Sequence, residues 1–314
     1  MNIHRFRLYR SLAALAASVV VAPALWAASQ DADGRFERTL KVTGAVQLTV
    51  ATGSGRILVR SGDAAAVSVV GVIKVRSGWF GGTRNAQDIV SRIEKNPPIE
   101  QTGNVIHIGR TADRELYENV SISYEIVAPA ETSLEAHSGS GSQEVTGLKG
   151  PVDVQTGSGS ITLASVAGGA RAGTGSGSIR GTGIGGGIRA STGSGSIELE
   201  LAGAGDVEVQ TGSGSIEVRG VRGALRANTG SGVIEAEGRP TGDWRAKSAS
   251  GGIRLRLPSE LAFDVDASTS SGRVSIDHPV LMQGSMDPKH VRGKVRGGGL
   301  LILVSTSSGS VHIN

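Results

Sequence analysis

The sequence predicts an all-β fold: a parallel β-solenoid (β-helix) with rungs of about 18 residues and an atypical N-terminal capping portion. Three observations predict it. A Thr/Ser-x-Ser-Gly motif starts at Ser138, Thr156, Thr174, Thr192, Thr211, Thr229 and Ser248, at successive spacings of 18, 18, 18, 19, 18 and 19 residues. The flanks of the motif alternate with a period of two, as in Val152-Asp153-Val154 before it and Ile197-Glu198-Leu199 after it. That is the pattern of a strand with one buried face. Aromatic residues make up only 3% of the chain, too few for an ordinary globular core of this length. A thin stack of rungs needs no large side chains.

Each rung reads as strand, Gly-Ser-Gly corner, strand and a second glycine-rich corner such as Gly168-Gly169 or Gly185-Gly186-Gly187. Glycine is expected at the corners for its access to positive φ. Stacking would set Ile161, Ile179, Ile197, Ile216, Ile234 and Ile253 in one buried column at the strand spacing of about 4.8 Å. The Thr/Ser column beside it is expected to pack inward, its hydroxyls bonding to neighbouring rungs. A meander or sandwich of antiparallel hairpins also fits 18 residues. The recurrence of identical positions in columns favours the solenoid.

Three segments follow in order. Residues 1–27 read as a signal peptide: Arg5, Arg7 and Arg10 precede an apolar run at 12–24, closed by Ala22-Pro23-Ala24 or Leu25-Trp26-Ala27. The apolar run is shorter than the ~20 residues a membrane-spanning helix needs. Residues 28–130 read as a β-rich capping portion with strands at 46–50, 57–59, 67–70, 105–108 and 120–126. A short helix at 86–95 is stopped by Asn96-Pro97-Pro98, and Thr52-Gly53-Ser54-Gly55 is an isolated early copy of the motif. Residues 131–314 carry the regular rungs. Looser copies occur at Thr269-Ser270-Ser271-Gly272 and Thr306-Ser307-Ser308-Gly309, and 282–299 reads as a loop insertion between them.

Composition excludes several function classes. The chain has no cysteine, so thiol chemistry, disulfides and a lipidated N-terminal cysteine are out. Removing 1–27 takes away three arginines and no acid. The remainder then has 32 − 3 = 29 bases against 28 acids, and nothing in a net charge near +1 points to nucleic acid. Gly173-Thr174-Gly175-Ser176-Gly177 superficially resembles a phosphate loop. However, a strand pattern (Ser178-Ile179-Arg180) follows it, where an anion site needs a helix N-terminus. Calcium-binding rolls place Asp in each turn, and these corners carry Ser. His107, His137, His278, His290 and His312 are scattered without a ligand spacing. No cofactor, metal site or catalytic residue is expected.

The outward positions carry the remaining information. After the corner they include Glu198, Glu200, Glu217, Glu235 and Glu237, flanked by Arg180, Arg219, Arg254 and Arg256. Before the corner they include Arg171, Arg189, Arg226, Arg245 and Lys247, together with Asp153 and Glu208. One face is therefore expected to be mainly acidic and the other mainly basic. Each is a candidate partner-binding face; the competing reading is a solvated surface neutralised by diagonal Arg pairs.

Several segments together resemble the bacterial DUF4097 family, a β-solenoid family that carries an adhesin label. They are the early strand from Gly44 to Val50, Tyr124-Glu125-Ile126-Val127-Ala128-Pro129 before the repeats, the iterated corners, and Leu301-Ile302-Leu303-Val304-Ser305-Thr306-Ser307-Ser308-Gly309 at the end. The resemblance spans residues 36–314 and implies a β-helical fold in an envelope or extracytoplasmic setting, with no catalytic residues. The expectation is an exported, periplasmic or secreted module that binds an envelope protein or a surface polysaccharide. A carbohydrate-active β-helix enzyme and a self-assembling surface scaffold are the alternatives.

Overall fold

The computed structural model describes residues 34–63, 65–75, 83–109, 120–281 and 287–314; the expected signal peptide lies outside them. Because the side-chain period of a strand is two, each strand gives one row of apolar residues inward and one polar row outward. Strands leading into a corner stack into a 14-stranded approach sheet, and strands leaving it into a 13-stranded exit sheet. Successive rungs pair parallel and in register. Val152–Thr156 lies on Ala170–Thr174, for example, and Ile161–Ala164 lies on Ile179–Ile184. The fold is a parallel β-solenoid, and the alternative of antiparallel hairpins does not describe its body.

Its core is a set of columns between the two sheets. Ile161, Ile179, Ile197, Ile216, Ile234 and Ile253 stack in order, and all are buried. Opposite them Val154, Ala172, Ala190, Val209, Ala227 and Ala246 form a column of small residues. At about 25 cal/mol per Å² of apolar surface, such columns stabilise the stack mainly through repetition. One member breaks the pattern: Gln143 occupies the isoleucine position between Ile57 and Ile161. It is 1% exposed, its Nε2 donates to the Gln155 carbonyl, and its Oε1 has no partner.

The corner hydroxyls form a ladder. Thr174 Oγ1 donates to the carbonyl of Gly159 at 2.8 Å, Thr192 to Gly177 at 2.8 Å, Thr211 to Gly195 at 2.8 Å and Thr229 to Gly214 at 3.0 Å. Each links a rung to the last glycine of the preceding corner. In the earlier rungs the hydroxyl also accepts from its own corner: Ser138 from the Gly141 N–H, Thr156 from Gly159 and Thr174 from Gly177 at 3.1 Å. Each of these buried hydroxyls thus has at least one partner, which burial requires.

The corner glycines have two causes, the expected positive φ in some rungs and close stacking in others. Gly157, Gly159, Gly175 and Gly177 are not among the positive-φ residues. A Cβ on Gly175 would lie within 3 Å of the Gly157 carbonyl oxygen, and one on Gly177 within 3 Å of the Gly159 oxygen. The requirement there is close stacking of corner on corner. Positive φ enters at the last corner glycine of later rungs, Gly214 (158°), Gly232 (151°), Gly251 (153°) and Gly309 (154°), and in the second corner at Gly183 (66°) and Gly220 (75°).

Both ends depart from sequence order. The early motif copy is a full rung: Val46–Thr52 pairs with Thr132–Ser138, and Ile57–Gly62 with Gln143–Thr146. The intervening chain caps it. Val120–Pro129 continues the exit sheet in parallel, then Ala66–Val75 and Gly34–Lys41 add antiparallel strands. Helix Thr83–Lys95 covers that edge with Val90 and Ile93 buried, and the Glu94 carboxylate accepts the Arg35 N–H at 2.8 Å. At the other end the last rung in sequence (Leu300–Ser308, Val311–Ile313) is inserted between Trp244–Ser250/Ile253–Arg256 and Phe263–Ser271/Val274–Ile276. Part of the expected loop at 282–299 is strand. His290–Val295 pairs antiparallel with Phe263–Ser271, and Val280–Leu281 adds to it. Residues 282–286 lie outside the described residues.

Candidate binding faces

The exit sheet places the predicted acidic residues in two outward rows. Glu198, Glu217 and Glu235 face one another across adjacent rungs, while Glu200 is in register with Arg219 and Glu237 with Arg256. Like charges directly opposed in a sheet repel, and the molecule relieves this with its own arginines. Arg180 meets Glu198 at 2.7 Å, Arg219 pairs with Glu217, and Arg254 meets Glu235 at 2.5 Å. Arg256 lies 3.7 Å from Glu237 and 3.8 Å from Glu235. Among the described residues Glu200 has no ion pair. The acidic residues come together as expected, but four of the five named ones are already matched.

The approach sheet places Arg171, Arg189, Arg226 and Arg245 in one row, interrupted by Glu208, with Lys247 in the neighbouring row. Two of these are matched: Arg189 meets Glu208 at 2.6 Å and Arg245 meets Asp243 at 3.1 Å. Arg171, Arg226 and Lys247 have no ion pair or hydrogen bond to other described residues.

That row forms one side of a groove of about 1350 Å³ along the stack. Its other side is the residue two before each member of that row: Ser133, Pro151, Gly169, Gly187, Asp206, Ala224 and Asp243. The groove exists because small residues there stand beside long ones in the arginine row. It runs from the rung of Glu135 to that of Arg245, six steps of about 4.8 Å or roughly 29 Å in all. This second row was not picked out in the sequence. The signal lay one outward position upstream of the arginine row, inside what reads as a glycine-rich corner.

Asp206 and Asp243 in that row change the expected charge of the face. Counting Glu135, Asp153, Asp206, Glu208 and Asp243 against the four arginines, the groove lining is close to balanced. Its acids, however, are engaged. Asp206 accepts the Ala224 N–H at 2.9 Å and Asp243 the Leu301 N–H at 3.0 Å, each stitching one rung to the next. Glu135 meets His137 at 2.9 Å, and Asp153 accepts from Gln155 at 3.1 Å. Among the described residues, the charged groups of the groove that make neither an ion pair nor a hydrogen bond are the guanidiniums of Arg171 and Arg226.

Other titratable groups sit in simple pairs. His290 meets Asp266 at 3.0 Å and Lys294 lies 3.6 Å from Asp264 along the C-terminal strands. His278 is buried edge-on to Phe263, ring centroids 5.4 Å apart. On the surface, Glu260 is held below the usual carboxylate range by its own backbone N–H and then by the Arg239 guanidinium at 2.5 Å. Among the described residues no group of three His, Asp or Glu side chains is placed to hold a metal ion.

The family model of Toastrack DUF4097 matches residues 144–314, more than half of the chain. The chain belongs to the Toastrack DUF4097 family. The matched part holds the stacked rungs from Gln143–Thr146 onward and nearly all of the groove. Several solved structures are similar at low identity. A Bacteroides fragilis protein provisionally named an adhesin is 12% identical, with a TM-score of 0.34 over 90% of this chain and 99% of that one. A Parabacteroides distasonis protein provisionally named lipid-binding is 14% identical, with a TM-score of 0.34 over 90% and 97%. A Clostridium sporogenes protein provisionally named for cell adhesion is 9% identical, with a TM-score of 0.24 over 89% and 98%. No curated protein matches this Toastrack chain.

Proposed function

We propose that this Toastrack protein is an exported, envelope-associated binding module without catalysis, and that the approach-sheet groove is its binding surface. One observation carries the reading: an open groove crosses seven rungs and holds two guanidiniums that form no ion pair with a described residue, although Asp153 and Glu208 stand in register beside them. An arginine fork left unpaired at a concave surface is a ready site for an anionic group. The exit face, with most of its glutamates matched by arginines, offers less to a partner.

The alternatives have weaker support. An enzyme of the glycosidase type needs two carboxyl groups facing each other across a bound sugar. The carboxylates of Asp264 and Asp266 instead neighbour one another along one strand, Asp264 beside the Lys294 ammonium and Asp266 hydrogen-bonded to the His290 imidazole. Strand His290–Val295 extends a sheet edge, and the concavity of about 830 Å³ that it lines with Asp264 and Asp266 also holds Arg292 and Lys294. A scaffold stacking end to end needs open rungs, whereas antiparallel strands and a helix close most edges here.

Two measurements test the reading together. Fractionation of cells making the protein should find it outside the cytoplasm, with an N-terminus following Ala24 or Ala27. The purified protein should also retain material from an envelope extract. A cytoplasmic protein that begins at Met1, or one that retains nothing, would overturn the proposal.

A further inference from the structure

The geometry points to a ligand class for the groove: an extended acidic polysaccharide whose carboxylates are held by Arg171 and Arg226. This rests on the binding-module reading and deepens it. The groove is a trough of roughly 29 Å along the stack at six strand spacings, a shape suited to a polymer lying along the solenoid axis.

Its surface discriminates between polymers. The apolar residues beneath it, Leu134, Val152, Ile188, Val207 and Leu225, are buried with their side chains in the core. Trp244, the aromatic of this part of the approach sheet, is fully buried and its Nε1 donates to Gly223. A peptide would find no anchor pocket for a hot-spot side chain, and a neutral sugar no aromatic face to stack on. The groove also lies on the face of a sheet whose backbone groups are used in rung pairing, so a strand cannot be added there. What the surface offers is two guanidiniums without an ion pair, set in a lining whose charges otherwise nearly cancel. Arg171 and Arg226 stand three rungs apart, about 14 Å at the strand spacing. A pyranose ring advances an extended glycan by about the height of one rung, so acidic sugars at positions i and i+3 would meet both arginines. A planar guanidinium matches a carboxylate with two parallel hydrogen bonds.

Calorimetric titration of the purified protein with polygalacturonate, dextran and polyglutamate tests this. Polygalacturonate should bind, more weakly as salt rises. R171A and R226A should each weaken it by about three- to ten-fold, the range for an exposed to partly desolvated ion pair, with thermal unfolding unchanged. Dextran should not bind. Equal binding of dextran, equal binding of polyglutamate, or indifference to both substitutions would overturn the assignment. If envelope extract is retained through Arg171 and Arg226 while polygalacturonate is ignored, the ligand class falls and the binding module stands. If neither is retained, both fall.

Discussion

A glycine-to-alanine pair separates the two explanations of the corner. Gly53 and Gly175 occupy the same position of the motif, and neither has positive φ. They differ in what lies beneath them. A Cβ on Gly53 would meet nothing within 4 Å, because its rung ends the run of corners, while a Cβ on Gly175 would lie within 3 Å of the Gly157 carbonyl oxygen. If close stacking selects the glycine, G175A must push two rungs apart against their hydrogen bonds and columns. Overpacking of this kind costs about 1–3 kcal/mol. At about 2–4 °C per kcal/mol for a domain of this size class, the thermal midpoint should fall by several degrees. G53A should stay within about 0.5 kcal/mol of wild type or be slightly stabilising, since alanine restricts the unfolded chain. The assay is thermal or urea unfolding followed by far-UV circular dichroism. Equal losses for the two variants would refute the stacking argument and return the corner to a backbone-conformation account.

Three further outcomes follow from the same structure. T192V removes the bond from Thr192 Oγ1 to the Gly177 carbonyl while keeping the shape, and should cost about 1 kcal/mol in urea unfolding; T192S, which keeps the hydroxyl, should lose less. Q143I completes the isoleucine column and removes a buried, unpaired oxygen, so it should stabilise by about 1–3 kcal/mol; a lower unfolding midpoint would show that the Nε2 bond to Gln155 matters more. R239A should let the Glu260 carboxyl titrate at higher pH, part of the way back to its ordinary range, because its own backbone N–H still favours the charged form. The sign follows from linkage. A carboxyl depressed in the folded state stabilises above its unfolded pKa, and that contribution is lost as pH falls through the folded value. An NMR titration of the Glu260 side chain in both proteins reads the change directly.

The repeat made the body of this fold legible. A fixed period with fixed flanks places Ile161 through Ile253 in a column and Thr156 through Thr229 beside it, because only parallel in-register stacking brings equivalent residues together at every step. The order of rungs at the ends was not legible. Thr269-Ser270-Ser271-Gly272 and Thr306-Ser307-Ser308-Gly309 look equivalent in sequence, and nothing local says that the later one lies inside the earlier. Gly53 and Gly139 stack although 86 residues separate them, since the cap is inserted between two rungs that then close together. At the faces, alternation told which residues point outward but not which partner each would choose. Arg219, in register with Glu200, pairs instead with Glu217 on its own strand. The groove was invisible for a related reason: its depth depends on Gly169 and Gly187 beside Arg171 and Arg189, a contrast in size between rows.

Charge reversal on the two faces tests the central claim most directly. The measurement is retention of envelope material by immobilised wild type, by R171E/R226E on the approach sheet and by E198R/E235R on the exit sheet, all at equal fold stability. The account predicts that R171E/R226E loses retention while E198R/E235R keeps it. Retention that survives R171E/R226E, or that disappears in E198R/E235R alone, would contradict it.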